Sequence, residues 1–173
     1  MRRQSLLEAA ARVVLRDGAG HLTLEAVAAE AGVSKGGLLY HFRSKESLIS
    51  GMVQHLVEDF ESKLREELAS EPEAPGRFLR AYVRATFAYE HQPLCMAAGL
   101  AAPLAEDPAL LGPLARGFAD WKKAADRDGL PRARADLIRL AVDGLWFTEL
   151  FGFAPLSDQA RKTLQRELLE MTR

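Results

Sequence analysis

A chain of 173 residues, 48% hydrophobic and 27% charged, has the balance of a globular protein with material for one substantial core or two small ones. It holds no run of about 18 uninterrupted apolar residues, which argues against a membrane span. Glu8 and Arg12 also interrupt the stretch that a signal peptide would keep apolar. A single cysteine, Cys95, precludes an internal disulfide and suits a reducing compartment, so the expected location is the cytoplasm. The net charge of −1 hides an asymmetry: residues 1–50 hold seven Lys/Arg against five Asp/Glu, and residues 51–173 hold sixteen against nineteen. A mildly basic head on an acidic body permits nucleic-acid binding without demanding it, because affinity follows local cation placement.

Strand signals are nearly absent, and apolar residues recur at spacings of three and four, so the predicted fold is all-α with about nine helices. The first covers roughly 2–17, with Leu6, Ala10, Val13 and Val14 on one face and Gly18 ending it. Thr23 caps a second helix running to Ala31, and Gly32 closes it. Ser34 caps a third, to about His41, and Ser44 opens a long fourth with Glu46 in its first turn. Leu48, Met52, His55, Leu56 and Phe60 mark the inner side of that helix. The segment SEPEAPG at 70–76 is the clearest linker.

A fifth helix is expected over 76–91, with Phe78, Tyr82, Ala85 and Tyr89 in one stripe, and a short sixth from Pro93 to near Pro103. Asp107-Pro108 reads as an N-cap followed by proline at the first helical position, opening a seventh helix that stops near Gly129. The eighth runs over about 132–151, and Ser157 caps a ninth that ends near Met171.

The helices within the first 50 residues suit a helix-turn-helix, in which one helix braces two others joined by a tight, glycine-containing turn. Val27, Ala28, Ala31, Val33, Leu38 and Phe42 would form its small core, and Gly32 would supply the left-handed turn. Gly36 and Gly37 are costly in the first turn of so short a helix, by about 1 kcal/mol each relative to alanine. Close approach of the backbone to another surface is a physical reason to keep them. In a major groove that first turn would meet bases and phosphates, with the Ser34 hydroxyl, the Lys35 ammonium and free N–H groups toward phosphate oxygens.

The stretch LTLEAVAAEAGVSKGGLLYHFRSKESLI at 22–49 closely resembles the DNA-binding domain of the tetracycline-repressor (TetR) family of regulators. Thr23, Ala28, Ala31, Gly32, Val33, Ser34, Gly36, Leu39, Tyr40, Phe42, Lys45 and Leu48 carry the match, which with the first helix covers about residues 2–50. The resemblance implies a DNA-binding domain at 1–46 and an effector-binding and dimerisation domain at 47–173. It implies a homodimer on a near-palindromic double-stranded operator, acting as a repressor that a small molecule releases. Carried over by position, Thr23, Ser34, Tyr40 and Lys45 would contact phosphates, while Lys35, Gly36, Gly37, Leu38 and His41 would face base edges. Arg2 and Arg3, at the very start of the first helix, are the only basic residues there, a departure from members with a basic N-terminal arm.

Beyond residue 55, aromatic residues and embedded polar groups suggest a hydrophobic or aromatic effector, with His55, Phe60, Tyr82, Tyr89, Met96, Trp121, Asp143 and Phe147 as candidate lining. Any one of these aromatics by itself suits a core better than a pocket. His91 and Cys95 have ligand spacing, but Pro93 lies between them and no third ligand is near, so neither metal nor cofactor is expected. Leu137, Leu140, Ala141, Gly144, Leu145 and Thr148 on the eighth helix, with Leu164, Leu168 and Met171 on the ninth, are the expected dimer interface. Catalysis is the competing class. The chain has no G-x-S-x-G, H-E-x-x-H, P-loop or C-x-x-C motif, and the reading is of a regulator rather than an enzyme.

Overall fold

The computed structural model describes residues 3–88, 100–151, 153 and 155–173. Among them are nine α-helices and no strand: α1 (Arg3–Asp17), α2 (Leu24–Glu30), α3 (Lys35–His41), α4 (Lys45–Ser70), α5 (Arg77–Phe87), α6 (Ala101–Glu106), α7 (Gly112–Asp126), α8 (Arg132–Phe151) and α9 (Asp158–Glu170). The all-helical class expected from the periodicity is the one observed. Contacts group the chain into two compact units, Met1–Val57 with His91–Ala115 and Glu58–Glu90 with Arg116–Arg173. The helix α4 contributes its residues through Val57 to the first unit and those from Glu58 to the second.

The helix ends obey their capping chemistry. Thr23 Oγ1 accepts from the Ala26 N–H at 3.0 Å, Ser34 Oγ from Gly37 at 3.1 Å and Ser157 Oγ from Ala160 at 3.3 Å. At α4 the cap is reciprocal: Ser44 Oγ accepts from Ser47 N at 3.2 Å, and Ser47 Oγ accepts from Ser44 N at 3.0 Å. Gly32 takes a φ of +67° between α2 and α3, the left-handed conformation that the turn requires.

Three expected boundaries are corrected. The fifth helix, expected over 76–91, ends at Phe87, where Ala88 forms its C-cap. Asp107 does cap, accepting from Ala109 N at 3.1 Å, but it opens a 3₁₀ turn, Pro108–Leu111, and α7 begins only at Gly112. Pro113 has no N–H to offer the Ala109 carbonyl, and the Gly112 N–H takes that carbonyl instead. The sixth helix, expected to end near Pro103, runs on to Glu106, because a proline in the first turn of a helix forfeits no internal hydrogen bond. The expected start of that helix at Pro93 lies outside the described residues.

In the first unit, Leu6, Ala10 and Val13 of α1, Val27 of α2, Leu38 of α3 and Leu48 and Met52 of α4 form one core with Leu22, Phe42, Leu100 and Leu110. Gly51 makes the packing of α4 possible there, since a Cβ would sit 2.7 Å from a Phe42 ring carbon. The Arg3 guanidinium lies over that same ring, 5.1 Å from its centroid. Glu30 on α2 pairs with Arg12 and Arg16 of α1, each at 2.8 Å, fixing the brace helix against the hairpin.

The second unit is built on α5, which buries Leu79, Ala81, Tyr82, Val83, Ala85, Thr86 and Phe87 and packs on α8 and α9. Its N-terminus is capped from a distance. Asp128 accepts from the N–H groups of Phe78 and Leu79 at 2.7 and 2.9 Å, while the Gly76 N–H donates to the Asp128 carbonyl at 2.7 Å. Gly76 itself holds a φ of +82°, and a Cβ there would meet the Thr172 carbonyl oxygen at 2.5 Å. Glu71 pairs with Arg80 at 2.8 Å and Arg84 at 2.7 Å with only 8% of its side chain exposed. Burial opposes its charge, but the two arginines outweigh that and hold the carboxyl below its ordinary range.

Candidate nucleic-acid interface and effector site

The face of the helix-turn-helix that the sequence marks for DNA is open to solvent. Thr23, Ser34, Lys35, Gly36 and Gly37 are exposed, Tyr40 is 85% exposed, and His41 and Lys45 are half-buried. Thr23 and Ser34 use their hydroxyl oxygens as acceptors for the caps, which leaves each O–H free to donate to a phosphate oxygen. Tyr40 and His41 meet edge to face with ring centroids 5.1 Å apart. The backbone at Gly36 and Gly37 is unobstructed: an added Cβ would meet nothing nearer than Ser34 Oγ, at 3.9 and 3.4 Å. Nothing among the described residues therefore requires glycine at either position.

Leu38 departs from the expected base-facing set. It is wholly buried in the core of the first unit, half a turn away from Gly36 and Tyr40, and its side chain has no path to a base edge. Two charged residues of this face were not singled out from the sequence. Arg43 is exposed between α3 and α4, beside Ser44 and Lys45; a cation in the segment joining those helices was the available signal. Glu25, in the first turn of α2, forms an ion pair with Lys35 at the start of α3. The hydrogen bond from Lys35 holds the Glu25 carboxyl below its ordinary range. No sequence signal announces that pairing, because the turn between the helices sets it.

Of the candidate effector residues, Phe60, Tyr82 and Trp121 come together in the second unit. The Phe60 ring lies 5.6 Å from Tyr82 and 4.8 Å from Trp121, and Tyr82 lies 5.9 Å from Trp121. Phe118 extends the cluster, stacking on Phe147 at 6.2 Å and touching Trp121 at 5.2 Å and Trp146 at 6.3 Å. Asp143 joins it from α8. The Tyr82 hydroxyl donates to one carboxylate oxygen at 2.7 Å, and Arg139 donates to the other at 2.8 Å. Burial pushes the Asp143 carboxyl up against the pull of both hydrogen bonds, and burial together with the neighbouring carboxylate drives the Tyr82 hydroxyl well up. Arg139 Nε is buried and has no hydrogen-bond partner among the described residues. His55 is half-buried on the part of α4 that belongs to the first unit. Tyr89 and Met96 lie outside the described residues, as do His91 and Cys95. Among the described residues, no group of three His, Cys, Asp or Glu side chains could hold a metal ion, and no helix is long and apolar enough to cross a membrane.

The residues expected at a dimer interface fall into two sets. Leu137 is 57% exposed and Gly144 is exposed, with Ala141, Thr148 and Leu164 half-buried. Leu145 and Leu168 are only 5% and 3% exposed and belong to the core of their own chain. Leu140, 58% exposed, completes a stripe along α8 through Leu137, Ala141 and Gly144 at helical spacing.

The profile of "Bacterial regulatory proteins, tetR family" matches residues 6–52, and that of "Tetracyclin repressor-like, C-terminal domain" matches residues 76–173. Over 87 residues the chain is 31% identical to the HTH-type transcriptional regulator BetI of Burkholderia thailandensis, covering 50% of this chain and 45% of that protein. Over 69 residues it is 36% identical to the HTH-type transcriptional repressor KstR2 of Rhodococcus jostii, covering 40% of this chain and 34% of that one. The chain thus spans less than half the length of the curated relatives it matches. Among solved structures, a transcriptional regulator from Rhodococcus sp. Rha1 superposes with a TM-score of 0.76 at 22% identity, covering 99% of this chain and 96% of that one. The multidrug binding protein EbrR, solved with malachite green, gives 0.67 at 24% identity over 99% and 98% of the two chains. With one profile on the helix-turn-helix and another over more than half the chain, this protein belongs to the tetR family of bacterial regulatory proteins, transcriptional regulators with an N-terminal DNA-binding domain.

Proposed function

We propose that the protein is a homodimeric repressor that occupies a near-palindromic operator and is released from it by a small hydrophobic or aromatic effector. The observation that carries the DNA half of this reading is the exposed first turn of α3. Two glycines stand there without internal need, flanked by the free hydroxyl hydrogen of Ser34 and the ammonium of Lys35. A surface without side chains lets backbone N–H groups come within hydrogen-bond range of a groove. Thr23, Tyr40, Arg43 and Lys45 would then hold the phosphates on either side.

In this reading, residues 1–46 bind DNA and residues 47–173 bind effector and partner. The ring cluster of Phe60, Tyr82, Phe118 and Trp121 supplies apolar surface for an effector, and the Tyr82–Asp143–Arg139 group supplies a few orienting polar atoms. The buried Nε of Arg139 is a donor to which an effector bearing an acceptor could bind. The helix α4 is the natural lever, because it starts at Lys45 in the first unit and carries Phe60 of the second. An effector releases DNA only to the extent that it binds the released state more tightly than the DNA-bound one. The stripe of Leu137, Leu140, Ala141 and Gly144 on α8 is the face offered to a second copy, its small residues allowing close helix approach.

The test is selection of bound duplexes from a random pool by the purified protein at two salt concentrations. One inverted-repeat motif is the expected result and would yield an operator on which effectors can be screened. Weak, salt-sensitive binding with no recovered motif would refute the sequence-specific reading.

A further inference from the structure

The helix α3 carries one lysine, and that lysine is not free. Lys35 stands at the first position of α3, and its ammonium is ion-paired with the carboxylate of Glu25, in the first turn of α2. Both side chains are more than half exposed, so the pair stands on the solvent face of the helix-turn-helix. A carboxylate on a surface that must approach phosphates is repelled by them. The loss of lysine mobility is a further cost to binding.

We infer that Glu25 is a specificity-determining positioning residue, which holds the Lys35 ammonium over the base-facing turn of α3 and keeps it from the DNA backbone. This rests on the proposal that α3 enters a major groove. An ammonium has three donors on one rotatable end. It can give one hydrogen to Glu25 and another to an acceptor on a base edge, such as guanine O6 or N7, without leaving its place. In the proposed docking the phosphates lie to the side of the groove, and a lysine that swings out to one of them gives up the carboxylate. Glu25 therefore opposes the non-specific mode, in which every cation seeks a phosphate, more than the mode in which a base acceptor lies under the ammonium. The exposure of both groups makes the pair easily broken, as a discriminator must be.

The experiment compares wild type and Glu25→Gln on a duplex recovered from the random pool and on its scrambled counterpart, each over a range of salt. Freeing Lys35 adds about one phosphate contact to the non-specific complex, which steepens its log–log salt slope by about 0.9 and tightens it about five- to tenfold near 0.1 M salt. Affinity for the selected duplex should stay within about twofold or fall, so the ratio between the two duplexes drops about fivefold or more. In a Lys35→Met background the gain from Glu25→Gln should shrink to the smaller part that comes from relief of carboxylate–phosphate repulsion alone. An unchanged ratio, or a gain of undiminished size without Lys35, would overturn the inference while leaving the DNA-binding proposal intact. Absence of salt-dependent binding by the wild type would overturn both. Thermal unfolding of each variant, expected to match wild type because both side chains are exposed, confirms that the fold is intact.

Discussion

Replacing Gly37 with alanine should make the protein more stable and worse at its task. Gly37 is the third residue of α3, with an ordinary negative φ, and an alanine Cβ there would lie 3.4 Å from Ser34 Oγ, in van der Waals contact. No buried side chain has to move. Alanine also narrows the unfolded ensemble, so the substitution should stabilise the fold by about 0.5–1 kcal/mol. For a chain of this size, that raises the midpoint of thermal unfolding by about 1–4 °C. Gly36→Ala, whose Cβ meets Ser34 Oγ only at 3.9 Å, should do the same. On DNA the methyl group holds the first turn of α3 away from the groove, lengthening several hydrogen bonds at once. A loss of about 2 kcal/mol, roughly thirtyfold in affinity, would correspond to two such contacts. Differential scanning calorimetry and fluorescence anisotropy on the selected duplex measure the two effects on one preparation. A stabilised variant that binds DNA as well as wild type would refute the close approach of this turn. A destabilised one would refute the account of why glycine is tolerated there.

Lys45→Ala should weaken binding to all duplexes alike and reduce the salt slope by about one, as measured by anisotropy titrations across salt. Leu140→Glu should give folded monomers in analytical ultracentrifugation, because the side chain is exposed on α8; persistence of a dimer would move the interface elsewhere. Leu145→Glu, by contrast, should unfold the second unit, since it places a carboxylate in that unit's own core. Glu71→Gln removes the shared partner of Arg80 and Arg84. Arg80 is mostly buried but Arg84 is about half exposed, so the cost should be about 1–3 kcal/mol, below that of breaking a fully buried pair. The Glu71 carboxyl is held below its ordinary value of 4.5, so its stabilising contribution is complete above about pH 5 and declines as pH falls through and below 4.5. Melting curves between pH 6 and pH 3 should show that decline in wild type and a flatter profile in the variant.

Helix starts were legible where the cap is local. Thr23, Ser34, Ser44 and Ser157 each lie three residues before the N–H they accept from, and a reader of the sequence meets cap and helix together. The set proposed to face the bases was less legible at Leu38, where an apolar residue among exposed neighbours serves the core. The face proposed for a second copy was legible only in part because α8 is apolar on two sides. Ala135, Ile138, Val142 and Leu145 point into the chain's own core, while Leu137, Leu140 and Gly144 point out. Both rows repeat at helical spacing, and periodicity alone does not say which one is covered. The Glu25–Lys35 and Tyr82–Asp143 pairs were illegible for another reason: their partners lie 10 and 61 positions apart, and only the fold brings them together.

The capping of α5 by Asp128 has a consequence for how the second unit comes into being. A polypeptide leaves the ribosome from its N-terminus, so α5 emerges about fifty residues before the carboxylate that satisfies its first N–H groups. Until Asp128 arrives, the most buried helix of the unit has an open end and seven side chains awaiting partners. Nascent chains halted before residue 128 should leave α5 frayed and sensitive to protease, and release of the C-terminal third should close the unit in one cooperative step.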